Sequence, residues 1–507
     1  MNLRRRSISI RVVFAFFVVT SAPFAIACAG TNGDGSDRPG RRPPNVLLIV
    51  PDQLRAQSLG CMGCSDVHTP NIDKLASEGV LFKNTFANTP VCCPARAILL
   101  TGKYAHKNGM KANDLRLRES ETTIAEILAA RGYRTGFIGK WHLDGGLRVP
   151  GFVPPGPRRQ GFDYWAASEC SHEHFKPRYF LDDPRPIVEN RFETEVWTDR
   201  AIEFLRSTRD RPFFLVVAPG PPHDPYGAPE RYMNEYENLE PKLGPDYVPG
   251  IQGAGIKEIR AYYAAITAVD SAIGRLVGAL AELDLAENTI VVVTSDHGDM
   301  LGSHGMRLKR KPYEESIRVP GIVRYPAKAK PGRVSRALWS HVDFAPTLLK
   351  LCGVDVPGDM QGADLSTEIA GAPALNGGSA TRGTPESVFF QIFLPFAGDG
   401  TPGAWRGVRT ERHMYARTEK SSWLLYDLEN DPYELKNLVD DPASTNIKER
   451  MEKILIDTME RTGDSWAEDT DAPLEDEGRL YRFRTFYSIP EFLEWERTHP
   501  ELAPKRK

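Results

Sequence analysis

The sequence predicts an α/β fold: a large mixed, mostly parallel sheet flanked by helices, with a small antiparallel sheet and a helix toward the C-terminus. Three observations carry this prediction. Residues 45–50, 212–218 and 288–294 are short, nearly unbroken apolar runs, as expected of strands covered on both faces of a parallel sheet. Helical patterns lie between them, so the alternation is of the βαβ kind. Each run also stops at polar, chemistry-bearing residues: Asp52-Gln53, His223-Asp224 and Asp296-His297. Ligands of open α/β sheets bind beyond the carboxyl ends of the strands, so a site is expected where these three pairs meet.

At 507 residues the chain is long enough for a large core and more than one domain. A net charge of -3 with 41% hydrophobic residues argues against a nucleic-acid partner. Arg4, Arg5, Arg6 and Arg11 precede an apolar stretch, and Ala25-Ile26-Ala27 fits a small-x-small cleavage site, which together read as a secretion signal. Cys28 follows directly, so two readings stay open: ordinary cleavage, or a lipid anchor at Cys28. The protein is expected to be exported, as a periplasmic, outer-membrane lipoprotein or extracellular species. The divisions are a signal peptide (1–27), a Gly/Pro/Arg-rich linker (28–43), a main domain (44–385) and a C-terminal subdomain with tail (386–507). Seven cysteines are too few for a disulfide scaffold. Cys61 and Cys64 read as either a local disulfide or simple packing.

Taken in order, Thr69 as cap, Pro70 at the first position and Gly79 as stop mark a helix. In Val91-Cys92-Cys93-Pro94-Ala95-Arg96, Pro94 suits a first helical turn, and Gly102 ends the apolar run 97–100. Cys92 then sits at a helix N-terminus, where free N–H groups and the dipole favour an anion, with Arg96 one turn on. That is either a nucleophile beside an anion site or a buried cysteine pair with a surface arginine. Thr123 and Glu126 form a capping box for a helix through Arg131. Residues 133–138 are a strand running into Gly139-Lys140-Trp141-His142, where Lys140 and His142 point the same way if the backbone stays extended.

Residues 150–186 read as a loop. Phe162, Tyr164, Trp165, Phe175, Tyr179 and Phe180 are expected to line a substrate cleft, with Glu169, His172 and His174 among them. The two histidines read as substrate contacts in preference to metal ligands. Helices follow at 195–208 and 256–283, and His223 is held between prolines that restrict its backbone. After residue 385 come short antiparallel strands at 407–410, 414–415 and 424–428, a turn and helix start at 431–438, and a helix at 446–462.

The motif Cys92-x-Pro94-x-Arg96, followed by Leu100-Thr101-Gly102, resembles the signature of the sulfatase family. Gly139-Lys140-Trp141-His142, Pro222-His223, Asp296-His297 and Lys309-x-x-x-Tyr313-Glu314 recur in the family's order. The chain is thus identified as resembling the type I, formylglycine-dependent sulfatases of the alkaline-phosphatase-like superfamily. The resemblance implies that a formylglycine-generating maturation enzyme oxidises Cys92 to an aldehyde whose hydrate is the nucleophile. It implies a metal, Ca2+ with Mn2+ or Mg2+ as alternatives, held by Asp52, Gln53, Asp296, His297 and residue 92. It places Arg96, Lys140 and Lys309 around the sulfuryl charge, and gives substrate contact to Lys140, His223 and Lys309. His223 with Lys309 protonates the leaving group, Asp296 accepts the nucleophile's proton, and His142 later deprotonates the sulfated hydrate to expel sulfate.

Ala95, Gln53 and His297 depart from the commoner serine, aspartate and asparagine. A sulfated carbohydrate is the implied substrate. The alternative is a phosphonate monoester or phosphodiester hydrolase, to which Gln53 and His297 lend weight; a non-catalytic carbohydrate-binding relative is the third reading.

Overall fold

The apolar run at residues 45–50 becomes the strand β1 (Asn45–Ile49), in the interior of the main sheet. Its alternate side chains enter two different cores: Val46 and Leu48 join one, Leu47 and Ile49 the other. Both faces are therefore dry, which is why the run shows no apolar–polar alternation; each such side chain contributes about 1.5–3 kcal/mol on burial. The computed structural model describes residues 42–145, 151–208, 210–371, 383–394, 401–466 and 489–499. The expected signal peptide, its cleavage site and Cys28 lie outside the described residues.

The following strands are β2 (Val80–Phe86), β3 (Arg134–Lys140), β4 (Tyr164–Ser168), β5 (Arg178–Tyr179), β6 (Ile187–Val188), β7 (Phe213–Ala218), β8 (Thr289–Val293), β9 (Ile322–Arg324) and β10 (Arg333–Ser340). Seven of them join β1 in one eight-stranded sheet, in the order β10-β2-β9-β8-β1-β7-β3-β4. All neighbours are parallel except β9, which runs antiparallel to both β2 and β8. A second, antiparallel sheet joins β11 (Val388–Ile392), β12 (Trp405–Arg409), β13 (His413–Arg417) and β14 (Ser422–Asp427), with the helix Thr445–Thr462 packed on it. The expected mixed, mostly parallel sheet and small C-terminal antiparallel sheet are both present. The long apolar helix Ile256–Glu282 packs into the core through residues such as Tyr262, Ile266, Val269, Ile273 and Leu276.

Several expectations are corrected. Residues 164–168, read as loop, form β4; Ala166, Ala167 and Ser168 carry little strand signal, and pairing with β3 supplies it. Most of the aromatics of this region pack inward, although Tyr164 and Trp165 border a surface cavity shared with Arg134, Asp163 and Asp182. Phe162, Trp165, Tyr179 and Phe180 are buried, and Phe162 and Trp165 pack with Phe137 and Trp141 at centroid distances of 5.2–5.9 Å. Phe175 alone of that set is strongly exposed. Residues 431–438 make turns in place of a helix start, because Asp431 accepts from the N–H groups of Leu435 and Lys436 and Glu434 takes a positive φ of 53°. Cys61 and Cys64 are both free thiols, so packing is the correct reading of that pair. Thr69 does not cap with its side chain; its hydroxyl donates to Asp73.

Candidate active site

The helix Cys92–Thr101 starts after an extended Val91 and stops at Gly102, whose φ of 63° only glycine adopts freely. Every residue in it is buried, so Cys92 is held at the first helical position inside the protein. Its Sγ lies 3.3 Å from His297 Nε2 and 3.9 Å from Asp52 Oδ1. With Asp296 these groups offer four ligand atoms within 4.8 Å of one another, all buried.

The sheet explains the convergence. Asp52 follows β1 and Asp296-His297 follow β8, and the two strands are parallel neighbours with Ile49 opposite Val293. Asp296 Oδ1 accepts from the backbone N–H groups of Gln53 and His297, both at 3.0 Å. His297 Nδ1 bonds the Gly298 carbonyl at 2.9 Å, which leaves Nε2 turned to the cluster. Two carboxylates, an imidazole nitrogen and residue 92, none exposed to water, fit a divalent cation chemically.

Three fixed cations enter the same space. Arg96 donates to Asp296 Oδ2 at 2.8 and 3.1 Å, to the Lys140 carbonyl at 2.7 Å and to Asp52 at 3.4 Å. Its fork is spent on orienting the carboxylates. Lys140 Nζ is 2.5 Å from Asp52 Oδ2. Lys309 Nζ donates to Gln53 Oε1 at 2.8 Å and to His223 Nε2 at 2.9 Å. Burial and the Cys92 thiolate push the Asp52 carboxyl up, but Lys140, His223 and Arg96 outweigh them and hold it well below the carboxylate range. Burial likewise opposes ionisation of Cys92, yet Lys140, Lys309 and His297 bring its thiol well below the usual value.

His142 does not follow the extended path expected of it. Gly139 and His142 have φ of 105° and 57°, so the chain turns as it leaves β3. The turn seats His142 Nε2 on Asp114 Oδ1 at 3.1 Å. Nδ1 has no hydrogen bond among the described residues. Burial lowers the proton affinity of this imidazole, but Cys170, Cys93 and Asp114 raise it well above the ordinary value.

A sulfatase family model matches residues 44–354. The chain belongs to the sulfatase family. A second model, for the C-terminal region of N-sulphoglucosamine sulphohydrolase, matches residues 302–461 of this sulfatase. It is 38% identical to the ulvan-active sulfatase of Formosa agariphila, over 83% of this chain and 82% of that one. A solved sulfatase structure from Bacteroides fragilis, 32% identical, superposes with a TM-score of 0.76 over 85% of this chain and 99% of that one. Another, solved with its substrate D-glucosamine-2-N,6-O-disulfate, is 26% identical with a TM-score of 0.75 over 85% and 99% of the two chains. By membership this protein is a sulfuric ester hydrolase.

The structure joins Asp52, Gln53, Cys92, Arg96, Lys140, His223, Asp296, His297 and Lys309 through direct contacts, whereas the His142 ring bonds Asp114; it also adds partners that spacing did not reveal. Gln53, in a left-handed conformation with φ of 67°, turns its amide oxygen to Lys309 and its amide nitrogen to Asp299 Oδ2 at 2.7 Å and Asp224 Oδ1 at 3.4 Å. A carboxylate at position 53 would face Asp299 without a proton to share, so Gln53 and Asp299 are matched. Tyr226 also donates to Asp299. His172 stacks on His223 at 4.2 Å, and His174 bridges Glu193 to the His223 carbonyl, so these two histidines hold His223. Asp114 and Tyr226 carried no sequence signal, and Asp224 was marked only as the neighbour of His223. The repeated acid of Asp296-His297-Gly298-Asp299 was the one hint of Asp299.

Proposed function

We propose that this sulfatase is exported and hydrolyses a sulfate ester of a carbohydrate to alcohol and inorganic sulfate, with a nucleophile made from Cys92. The observation that carries the reading is the setting of Cys92: buried at a helix start, against His297 and two carboxylates, with three fixed cations around it. The names of the ulvan-active relative and of the disulfated-glucosamine complex support a carbohydrate substrate. The basic and apolar N-terminus supports export, and Cys28 directly after the cleavage site offers the acceptor for a lipid anchor. A formylglycine-generating maturation enzyme is the implied partner, and the formylglycine hydrate would stand where Cys92 Sγ stands.

Asp52, Asp296, His297 and residue 92 would hold the metal, calcium by their oxygen content or manganese or magnesium as alternatives, while Gln53, expected among the ligands, instead turns its amide oxygen to Lys309. When bound, it supplies Lewis-acid polarisation and a lowered pKa for a hydroxyl beside it. Arg96 keeps Asp52 and Asp296 aimed inward. Lys140 and Lys309 place positive charge where the sulfuryl oxygens gather charge, the electrostatic effect that dominates such reactions. His223 bonds the Asp224 carbonyl through Nδ1 at 2.7 Å and meets Lys309 through Nε2, so the pair presents a proton to the departing alcohol oxygen. His142, oriented by Asp114 with Nδ1 unengaged, takes up the proton whose removal returns residue 92 to its resting form.

Sulfate release from sulfated oligosaccharides, with aryl sulfate and aryl phosphonate as paired substrates, tests this reading. Faster turnover of the sulfate is expected. Preference for the phosphonate would transfer the assignment to the phosphonate monoester hydrolase reading, which rests on Gln53 and His297.

A further inference from the structure

A second group of acid and imidazole lies where the loop that delivers Lys309 is anchored. After β8 this loop folds back on itself, with Met300 N–H donating to Leu308 at 2.7 Å and Gly302 N–H to Met306 at 2.9 Å. Leu301, Gly302, His304, Gly305 and Leu308 all have positive φ, so little of its shape comes from backbone preference. At its tip the His304 N–H donates to the Asp246 carbonyl at 2.7 Å, and the His304 ring stacks on Tyr313 at 4.0 Å.

His304 Nε2, a carboxylate oxygen of Asp246 and a carboxylate oxygen of Glu315 lie within 4.8 Å of one another. Neither His304 Nε2 nor Glu315 Oε2 has a hydrogen-bond partner among the described residues, and both atoms are buried. Glu315 is 8% exposed and Asp246 6%. The two unpartnered atoms face each other at 4.0 Å, too far to bond directly. Ligands about 2.0–2.2 Å from a shared ion stand roughly 3–4 Å apart, so this spacing suits a bridging cation.

The surrounding charge agrees. Glu314 is neutralised by Arg409 and Arg318, and Arg55 is the cation acting on Glu315. Glu434 adds a further buried carboxylate with Oε1 unpartnered. Among the described residues, the four carboxyl groups of Asp246, Glu314, Glu315 and Glu434 thus share the three arginines Arg55, Arg318 and Arg409.

We propose that Asp246, His304 and Glu315 form a second divalent-cation site, of zinc-like preference, that pins the loop bearing Lys309. One imidazole and two carboxylates suit zinc better than calcium, which takes six to eight oxygens. The ion takes no chemical part in the reaction at Cys92 and bears on it only through the placement of Lys309.

The test is a zinc titration of the untagged, calcium-saturated protein by calorimetry, with metal content measured after desalting. One equivalent of zinc is expected in the wild type and in Asp296→Asn, and none in His304→Ala or in the shape-conserving Glu315→Gln. Circular dichroism checks that each variant is folded. Anomalous scattering at the zinc edge from wild-type crystals, which needs no variant, is expected to place the ion between the three side chains. No bound zinc, zinc lost only in Asp296→Asn, or an anomalous peak beside Cys92 would overturn the proposal.

Discussion

Around Cys92, the carboxylates Asp52 and Asp296 meet Arg96 and Lys140 within hydrogen-bonding distance, and Lys309 is held nearby by Gln53 and His223. Around His304, a comparable set of buried acids meets few cations and leaves imidazole and carboxylate atoms facing each other unbonded. Both places bury carboxylates beside an imidazole, yet they are prepared for different occupants. Fixed ammonium and guanidinium groups make the first hospitable to an anion as well as to a metal. At the second, Arg318 and Arg409 are spent on Glu314 and Arg55 is the cation acting on Glu315, so what would balance the site is a cation from outside the chain.

The largest expected effect breaks the first cluster at its nucleophile. Cys92→Ser is expected to lose turnover by roughly 10^4-fold or more, since nucleophile and base act as a unit. A serine can attack but cannot eliminate, so intact mass after incubation with substrate should show sulfate retained on the protein. Normal turnover by this variant would refute the scheme. Next comes the cation held between Gln53 and His223. Lys309→Ala is expected to lower kcat/KM about 10^2–10^3-fold, read with an aryl sulfate.

A smaller effect sharpens the role of Gln53. Gln53→Asp sets a carboxylate against Asp299 and is expected to cost about tenfold in kcat/KM, at ~1.4 kcal/mol. Adding Asp299→Asn restores a donor–acceptor match and should recover most of that loss. Additive losses in the double variant would show that the pair is not coupled.

Much of the first cluster was legible because its members adjoin strand ends that announce themselves. β1, β7 and β8 are unbroken apolar runs, and Asp52, His223 and Asp296 come directly after them. β2, which contains Lys83, Asn84 and Thr85, and β10, which begins at Arg333, look polar in isolation and become strands by pairing with each other. The coupling of Gln53 to Asp299 spans 246 positions, and no local pattern announces it. The cluster at His304 was illegible for the same reason: Asp246 sits in an unpatterned loop and meets His304 and Glu315 only in the folded chain. His142 was found by its motif, but its orientation comes from a turn at positive φ and from Asp114.

The smallest effect concerns a third buried acid, Glu169. Its Oε1 accepts from the Asp144 N–H at 2.8 Å while Oε2 is unpartnered among the described residues. Burial raises its pKa from 4.5 to about 8. Between those values the folded protein keeps a proton that the unfolded chain has lost, so this group lowers stability progressively as pH rises through the window. Glu169→Gln removes that dependence, and its Tm is expected to gain on the wild type from about pH 5 to about pH 8. A constant difference across that range would show that Glu169 is ionised in the folded state.

The most direct measurement is mass spectrometry of the peptide carrying Cys92, taken from protein matured beside a formylglycine-generating enzyme and active on a sulfate ester. An aldehyde, or its hydrate, in place of the thiol is the expected result. An unmodified cysteine in a preparation that turns over at full rate would contradict it.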